Sequence, residues 1–277
     1  MEVEKKLPGR SSGSVCGITL LNRKMYVLHW ADQDQIHVFS TPDFVLRRRL
    51  SLPAKKDDLR DMTSCAVENC LYVSNWGEQC LHKIKVEQLP QSKWTVKKRP
   101  NGLSVMEANC HVLVTCRDDR FLIQLNRQGR MMRMFQLPED VMYPLHALQM
   151  PNGAYLVSHG DLYNPEHRVC KLVGNDKVME VVGSYGSQKG SGQDQLNEPC
   201  HMALSRHGFV FVADFSNGRV VLLNPSLKFV RNLFTETKGS RAEIACFQRL
   251  YLDSELQKLY VGDFSGNVTI LRLLWSH

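Results

Sequence analysis

The stretch FVFVADFSNGRVVLLNPSLKFVRNLF, from Phe209 to Phe234, decides the fold. It contains three short apolar runs, and turns rich in Asn, Gly, Ser and Pro separate them. Short runs dominated by Val, Phe and Leu are typical of β-strands, and the intervening residues are typical of tight turns. The first turn also contains Asp214, Asn217 and Arg219. The stretch therefore predicts antiparallel strands, and it raises the question of whether this turn is a functional site.

An apolar run centred on a valine recurs five more times along the chain. The five segments are KMYVLHW (24–30), CLYVSNW (70–76), HVLVTCR (111–117), AYLVSHG (154–160) and KLYVGDF (258–264). Successive valines lie about 40 to 55 residues apart, a period that is typical of propeller blades when it is built from short β-runs. Each copy can be divided into four strands, which we name a to d from the central channel outward. The sequence therefore predicts six blades of four antiparallel strands.

The two ends of the chain are predicted to meet in one blade. After Val261 the last copy contains a single further run, NVTILRLL (267–274), and lacks strand d. The N-terminal segment EVEKKLP (2–8) resembles the d runs of other copies, so it is expected to supply this strand and close the ring. We therefore expect an all-β, six-bladed β-propeller of four-stranded antiparallel blades in a single domain over residues 1–277. The blades are expected at roughly 15–52, 61–99, 102–137, 145–184, 199–235 and 245–274.

One copy resembles an NHL repeat, whose common form places a Pro and an apolar strand before a V-A-D-x-x-N-x-R-V core. The segment EPCHMALSRHGFVFVADFSNGRVVLLNP (198–225) matches this core at Asp214, Asn217, Arg219 and Val220. The segment YVGDFSGNVTIL (260–271) matches more loosely, because it keeps Asp263 but lacks the Arg. The resemblance is to the NHL propeller of tripartite-motif proteins, and it implies a platform that binds protein or RNA. No RING, B-box or coiled-coil pattern is present in these residues, so ubiquitin-ligase activity is not implied.

Two interpretations of the Asp214 turn are open. Asp and Asn side chains commonly bond nearby backbone amides in turns, and Gly218 accepts a positive φ. Arg219, at the start of strand c, can pair with Asp214 across the loop. These properties favour a structural clamp. The alternative is that Asp214 points into the mouth of the central channel and contacts a ligand.

Other candidate binding residues follow from their position in the repeat. His146 and His201 occupy one matched position near the start of strand a, and Arg249 occupies the comparable place in the last blade. The residues after strand b are expected to ring the same face, which we call the top face and which carries the b–c and d–a loops. The binding candidates are His146, His201, Arg249, Asp214, Asp263, Trp30, Trp76, His159 and Tyr163.

A metal-dependent lyase or hydrolase is an alternative, because imidazoles that converge from several blades can bind zinc and leave one position open for substrate. The arrangement resembles that of peptidylglycine amidating lyase, a propeller enzyme that uses histidines from different blades. Here His146 and His201 match each other in register, and a third ligand is not evident. Hydrogen-bonded channel histidines are therefore the preferred interpretation, and we assign no metal ligand, catalytic residue or cofactor. No Ser-His-Asp order, Walker loop or G-x-G-x-x-G is present.

Two segments are expected to be long loops on the top face: HGDLYNPEH (159–167) and SYGSQKGSGQDQLNE (184–198). Long loops on a rigid scaffold often carry binding residues, and Tyr163 can serve as an aromatic anchor. The top-face loops contain more acidic than basic residues, for example Asp32 and Asp34, while the basic residues fall mostly on strands c and d. Lys and Arg on outer strands discourage edge-to-edge pairing. We therefore expect a protein or peptide partner on the top face of blades four to six, with RNA as the alternative.

The composition is typical of an intracellular globular protein. The sequence has an apolar fraction of 43%, a formal net charge of +7 and nine cysteines, and none of these forms a C-x-x-C pair. The N-terminus, MEVEKKLPGRSSG, lacks the apolar segment of a secretory signal, and no apolar run is long enough to span a bilayer. We expect a cytoplasmic monomer with free, mostly buried thiols and no membrane association.

Overall fold

The computed structural model describes residues 1–9, 13–30, 35–52, 58–86, 91–175, 178–235 and 246–274. Within these residues lie 24 β-strands and one short 3₁₀ helix, Phe215–Asn217. In chain order the strands are β1 Glu2–Leu7, β2 Val15–Leu21, β3 Lys24–His29, β4 Gln35–Ser40, β5 Leu46–Ser51, β6 Leu59–Cys65, β7 Cys70–Asn75, β8 Cys80–Lys85, β9 Gln91–Thr95, β10 Pro100–Met106, β11 His111–Cys116, β12 Phe121–Leu125, β13 Met131–Gln136, β14 Pro144–Gln149, β15 Tyr155–His159, β16 Glu166–Gly174, β17 Met179–Gln188, β18 Pro199–Leu204, β19 Val210–Asp214, β20 Arg219–Leu223, β21 Phe229–Thr235, β22 Phe247–Asp253, β23 Lys258–Asp263 and β24 Val268–Arg272.

The strands form six four-stranded antiparallel sheets, which are the blades of a propeller. Blades one to five are β2–β5, β6–β9, β10–β13, β14–β17 and β18–β21, each in sequential order. The first strands of neighbouring blades contact one another and line the central channel. The sixth blade has the order β1-β24-β23-β22, so the N-terminal strand is its outer strand. The predicted six-bladed, all-β fold and its closure by the first strand are confirmed.

Burial follows the position of a strand within its blade. All six residues of β7 are buried, whereas β1 is exposed along almost its whole length. Apolar side chains of neighbouring blades pack into shared clusters, one of which joins Tyr26 and Leu28 of blade one to Leu71 and Val73 of blade two. Full burial of a Val or Leu side chain is worth about 1.5–3 kcal/mol. Packing between blades therefore supplies much of the stability that holds the ring together.

Every inner strand contains a bulge close to its first residue. The pairing of strands a and b shifts register between Val15 and Gly17, and the corresponding shift occurs in the other five blades. A bulge redirects one side chain out of the regular alternation of the strand. In blades one to six the residues at this position are Gly17, Asp61, Gly102, His146, His201 and Arg249.

The segment 184–198 differs from its prediction as one long loop. Strand β17 extends to Gln188 because it pairs along its full length with β16, where Glu166 faces Gln188. Gly183 and Gly186 interrupt the apolar alternation within this strand, and glycines inside a strand weaken its sequence signal. The connection on the top face therefore comprises residues 189–198 only.

The described residues include no helix that is long and apolar enough to cross a membrane. All nine cysteines lie in the described part of the chain, and all nine thiols are free. Asp32 and Asp34, which contributed to the predicted acidic character of the top face, lie outside the described residues.

Removal of strand β1 is expected to destabilise the propeller, because β24 would become an unpaired sheet edge. In the intact chain an ion pair between Glu4 and Lys258 (2.6 Å) supports the backbone pairing. A variant that lacks residues 2–7 should unfold at a temperature lower by at least about 5 °C, measured by differential scanning calorimetry, and should aggregate. A synthetic peptide of this N-terminal segment, added in trans, should restore the unfolding temperature. Equal stability of the truncated and intact chains would contradict closure by β1.

Candidate functional site

Four polar side chains close the centre of the channel, and we call them the polar plug: Asp61, His146, His201 and Arg249. Each is at most 8% exposed. They occupy the bulge position of four blades, and glycines occupy it in the other two. Gly102 leaves space that the plug fills, because a Cβ atom on it would lie 3.0 Å from the Cα atom of His146.

Asp61 is the anionic centre of the plug. Its Oδ1 lies 3.3 Å from Nε of Arg249, and its Oδ2 lies 3.6 Å from Nε2 of His201. The backbone N–H groups of Met62 and Leu103 donate to the same carboxylate, each at 2.8 Å. Burial alone would raise the pKa of Asp61, but Arg249 and then His201 lower it to about 2. Asp61 is therefore ionised at neutral pH.

The two plug histidines stack on each other, with ring centroids 3.8 Å apart. The Met202 N–H donates to Nδ1 of His146 (3.3 Å), and the Leu250 N–H donates to Nδ1 of His201 (3.4 Å). A carbonyl only accepts, so Nε2 of His146 carries the proton that it donates to the carbonyl of Leu103 (3.1 Å). Burial lowers the pKa of both histidines, and it lowers that of His146 well below the usual value. His146 is therefore neutral, with its proton on Nε2.

Arg249 ties the plug to the start of three inner strands. Its Nε donates to the carbonyl of Cys16 (2.8 Å), and its Nη1 donates to the carbonyl of Gln248 (2.8 Å). Its Nη2 donates to the carbonyl of Arg60 (2.6 Å). These carbonyls belong to blades one, six and two, so one guanidinium fixes the spacing of three blades around the axis.

The donor set of the plug does not fit a metal ion. Ligand atoms of Asp61, His146 and His201 lie within 4.8 Å of one another. However, both Nδ1 atoms accept backbone N–H groups, and Nε2 of His146 carries a proton. Arg249 also places a positive charge against the carboxylate that would bind the cation. The plug is therefore a hydrogen-bonded closure, and a cavity of about 390 Å³ lies below it on the bottom side of the ring.

A second group of ligand types lies on blade two, where atoms of Glu78, Cys80 and His82 also come within 4.8 Å of one another. The carboxylate of Glu78 already forms an ion pair with Lys93 (2.8 Å). Burial raises the pKa of Cys80 to about 11, so its thiol is protonated at neutral pH. This group is therefore not organised to receive a cation.

The residues that follow strand b surround the top mouth of the channel, and we call them the mouth ring: Trp30, Trp76, Arg117, Gly160, Phe215 and Phe264. The backbone N–H of Trp30 donates to the carbonyl of Ser14 (2.8 Å), and that of Trp76 donates to the carbonyl of Asp58 (2.7 Å). Phe215 and Phe264 are held in the same way by the segments that precede their inner strands. These hydrogen bonds fix most of the mouth ring to the blades.

Two arginines lie against the tryptophans of the mouth ring. The guanidinium carbon of Arg60 is 4.8 Å from the ring centroid of Trp30 and 5.3 Å from that of Trp76. The guanidinium carbon of Arg99 is 4.3 Å from the ring centroid of Trp76. Each cation–π contact of this kind is worth about 0.5–1 kcal/mol at exposed sites. We call the series Trp30, Arg60, Trp76 and Arg99 the arginine ladder, and it runs from blade one to the start of blade three.

The last residues of strand b point into the blades. His159 and Asp214 are fully buried, and Asp263 is 3% exposed. Burial lowers the pKa of His159 to about 4. Consecutive strand residues point to opposite faces, so the residue after each of these positions is the one that reaches the mouth. None of these three candidates therefore presents its side chain to a partner on the top face.

The Asp214 turn is a clamp that also holds the neighbouring loop. Oδ2 of Asp214 accepts from Nε of Arg219 (2.6 Å) and from Nδ2 of Asn217 (2.8 Å). Its Oδ1 accepts from the backbone N–H of Asn197 (2.6 Å). Arg219 further donates to three carbonyls of the 189–198 segment, those of Ser191, Gly192 and Gln195. The geometry therefore supports the structural interpretation of this turn and shows that the adjacent connection is ordered by it.

Three exposed apolar side chains of the top face lie on blades four and six. Tyr163 is 84% exposed, Leu162 is 68% exposed and Phe264 is 58% exposed. The carboxylate of Asp161 accepts the backbone N–H of Tyr163 (3.0 Å) and pairs with Arg117 of blade three. Leu162 and Tyr163 are adjacent in the chain, and their exposure beside this ordered turn makes the loop of blade four a candidate interaction surface.

Sequence reasoning placed His146, His201 and Arg249 at the channel, and the structure brings all three together. It missed Asp61 and Arg60, which follow each other at the start of an apolar inner strand. The available signal was this charged pair itself, because a charge at the beginning of a buried strand requires a partner. The repeat also marked the position, because Asp61 precedes Val73 by the same 12 residues that separate Arg249 from Val261.

Enlarging the glycine next to the plug is expected to destabilise the fold. A Cβ atom on Gly102 would lie 2.5 Å from the carbonyl oxygen of Leu145 and 3.0 Å from Cα of His146. Gly102→Ala should therefore lower the free energy of unfolding by about 1–3 kcal/mol, measured by urea denaturation. Gly183→Ala is the matched control, since it also lies in a strand and has nothing within 4 Å of an added Cβ. Equal stability of the two variants would show that the plug is not tightly packed.

The neutral plug histidines predict a loss of stability on acidification. A histidine whose pKa is lowered by folding binds its proton more readily in the unfolded state, so stability falls as the pH drops below about 6.5. His146→Gln keeps one donor and one acceptor but does not titrate. The free energy of unfolding of this variant should fall less than that of the wild type between about pH 7 and pH 5, measured by urea titration. His207→Gln, at an exposed bottom-face turn, is the control. If the free energy of unfolding of H146Q fell as steeply between about pH 7 and pH 5 as that of the wild type, the assignment of His146 as a neutral buried histidine would be contradicted.

No family model matches the chain, and no curated protein matches it. Its fold is similar to that of virginiamycin B lyase from Staphylococcus aureus, with a TM-score of 0.68 and 10% identity over 98% of this chain and 99% of that chain. A streptogramin B lyase gives a TM-score of 0.68 and 9% identity over 96% of each chain. A hydrazine synthase from Kuenenia stuttgartiensis gives a TM-score of 0.69 and 9% identity over 98% of each chain. At these identities the similarity establishes a shared fold, and that fold is the six-bladed propeller described above.

Proposed function

We propose that the chain is a non-enzymatic scaffold that binds a protein or peptide on the top face of its propeller, over blades four to six. The observation that carries this proposal is the exposure of Leu162, Tyr163 and Phe264 on a backbone that hydrogen bonds hold in place. Rigid aromatic side chains contribute a large contact area and lose little conformational entropy on binding. The polar plug closes the channel beneath these side chains and makes the inner strands that support them rigid.

The chemistry of the plug favours a scaffold over a metal-dependent lyase or hydrolase. His146 and His201 use their ring nitrogens to connect inner strands and to contact Asp61, rather than to coordinate a cation. The solved lyases share the fold at 10% identity or less, and such similarity carries no active site to this chain. The four plug residues are therefore assigned a structural function.

RNA binding is the second candidate, because Arg60 and Arg99 lie beside aromatic rings at the mouth. Binding to a phosphate backbone requires clustered positive charge. Here Arg99 pairs with Asp118 (3.7 Å), and Arg117 pairs with Asp161. These pairs reduce the positive potential of the mouth, which favours a protein or peptide partner.

We further propose an NHL-type relationship for the chain, of the kind found in tripartite-motif proteins. The clamp of Asp214, Asn217 and Arg219 supports it, and Asp263 makes a related contact with Asn267 (2.7 Å) in the last blade. The free thiols support a cytoplasmic location. The charged, exposed outer strand β5 disfavours edge pairing and supports a monomer.

Truncation of the exposed top-face aromatics is expected to weaken partner binding without unfolding the protein. The test uses the wild type and the double variant Y163A/F264A to recover binding proteins from native lysate. Quantitative mass spectrometry then compares the amount of each recovered protein. Loss of an aromatic anchor commonly weakens binding at least about tenfold, so recovery of specific partners should fall. The unfolding temperature should not change, because both side chains are largely exposed.

The double variant V67A/L256A is the matched control, since Val67 (69% exposed) and Leu256 (56% exposed) lie on bottom-face turns. A second arm treats the lysate with ribonuclease before recovery. Undiminished recovery by Y163A/F264A, or recovery that ribonuclease abolishes, would argue against a protein or peptide partner on the top face.

A further inference from the structure

Arg60 is the least paired charge of the top mouth. Its side chain is half-buried between Trp30 and Trp76. Among the residues that the structure describes, none accepts a hydrogen bond from its guanidinium, and no carboxylate lies within the 4.0 Å of an ion pair. Arg99 and Arg117, in contrast, each have an aspartate partner. The guanidinium has five N–H donors and is partly removed from water, so a ligand that supplies acceptors would offset its desolvation.

We propose that Arg60 binds a carboxylate side chain of an acidic peptide segment at the top mouth. This inference rests on the proposed peptide-binding function and specifies its chemistry. Tyr163 and Phe264 would supply apolar contacts on blades four and six, and Arg60 would supply the charged contact from blade two. Phe264 belongs to the mouth ring and Arg60 packs on two other members of that ring, so one segment that crosses the mouth can contact both.

The position of Arg60 is organised before any ligand binds. Nη2 of Arg249 donates to its carbonyl, which links its backbone to the polar plug. The two flanking indoles are fixed in turn, because backbone bonds hold Trp30 and Trp76 to their blades and Nε1 of Trp76 donates to Asp118 (3.2 Å). A preorganised guanidinium loses little entropy when it forms a bidentate contact with a carboxylate.

Partial burial is the main reason why Arg60 would gain from an anion. Burial has the largest effect on the pKa of Arg60 and lowers it, and the weaker effects of Arg117 and Arg249 act in the same direction. Asp58 has the largest effect among the nearby charges and raises this pKa, but it lies beyond ion-pair distance. An additional carboxylate would offset the burial and the repulsion together, so Arg60 gains more from an anionic partner than a fully solvated arginine would.

A single carboxylate fits this mouth better than a nucleic acid. Asp118 pairs with Arg99 and Asp161 pairs with Arg117, so two of the three arginines described at the mouth already have an acidic partner, which disfavours a continuous basic track. Trp76 is in contact with both Arg60 and Arg99, which occupy ring surface that a stacked base would need. Both observations favour a peptide that contributes one Glu or Asp side chain.

The test is an NMR titration of the ¹⁵N-labelled full chain with N-acetyl-glutamate α-amide, whose only charge is its side-chain carboxylate. The readouts are the indole N–H signals of Trp30 and Trp76, assigned with the variants W30F and W76F. We expect saturable shifts of these signals with a Kd of about 1–10 mM, and no shift with N-acetyl-glutamine α-amide. Arg60→Gln should weaken the response at least about tenfold. Arg60→Lys should weaken it less, because lysine keeps the charge but not the planar fork.

Arg231→Gln is the control, since Arg231 is an exposed arginine on the outer strand β21, and its titration should match that of the wild type. No saturable shift with the glutamate probe, or equal responses in R60Q and the wild type, would overturn the proposal. An oligouridylate that shifts the same indole signals at lower concentration than the glutamate probe would also overturn it, in favour of RNA.

The proposed peptide-binding surface on blades four to six and the proposed carboxylate site at Arg60 can be refuted independently. If Y163A/F264A loses its partner while the glutamate probe has no effect, the top face binds a peptide without the carboxylate contact. If the glutamate response requires Arg60 while Y163A/F264A keeps every partner, the carboxylate site stands and the proposed surface on blades four to six is wrong.

Discussion

The carboxylate of Asp61 connects four of the six blades at the axis of the propeller. It originates in blade two and accepts an N–H group from blade three, and it contacts His201 of blade five and Arg249 of blade six. Removing one member of a buried ion pair typically costs about 3–5 kcal/mol, because the other charge remains without a partner. The plug is therefore retained or lost as a unit, and its polar groups give the inner strands one defined arrangement that apolar packing alone would specify less strictly.

The plug also determines what the rest of the molecule can do. It separates the top mouth from the cavity on the bottom side, so a ligand at the mouth contacts only the upper ends of the inner strands and the loops around them. The carbonyl of Arg60 is one of the groups that Arg249 holds. The polar plug and Arg60 at the mouth are thus connected through one hydrogen bond, and the rigidity of the plug supports the preorganisation of Arg60.

The sequence was sufficient for the architecture because each blade repeats the same alternation, and a valine in every strand b marks its register. It was also sufficient for His146, His201 and Arg249, since the repeat places them at one position. The sequence was insufficient where a shift of one residue along a strand decides whether a side chain points into the blade or toward the mouth. His159 and Asp214 end strand b and point into the blades, whereas the next residue reaches the mouth. Asp61 occupies the same place in its blade as Arg249, 12 residues before the valine of strand b, and it was overlooked although the repeat marks it.

The functional character of this propeller lies where its blades depart from the repeat. Blade five keeps the clamp of Asp214 and Arg219, and that clamp is used to order a loop. Blade two uses a different turn contact, in which Oδ1 of Asn75 accepts the backbone N–H of Glu78 (2.8 Å), and Trp30 and Trp76 of blades one and two lie on either side of Arg60. The turn after strand b of blade two is held by this contact and by the backbone bond from Trp76 to Asp58, without an Asp–Arg clamp. A turn that other contacts hold can carry different side chains, and in blades one and two the residues that follow strand b are the tryptophans of the arginine ladder.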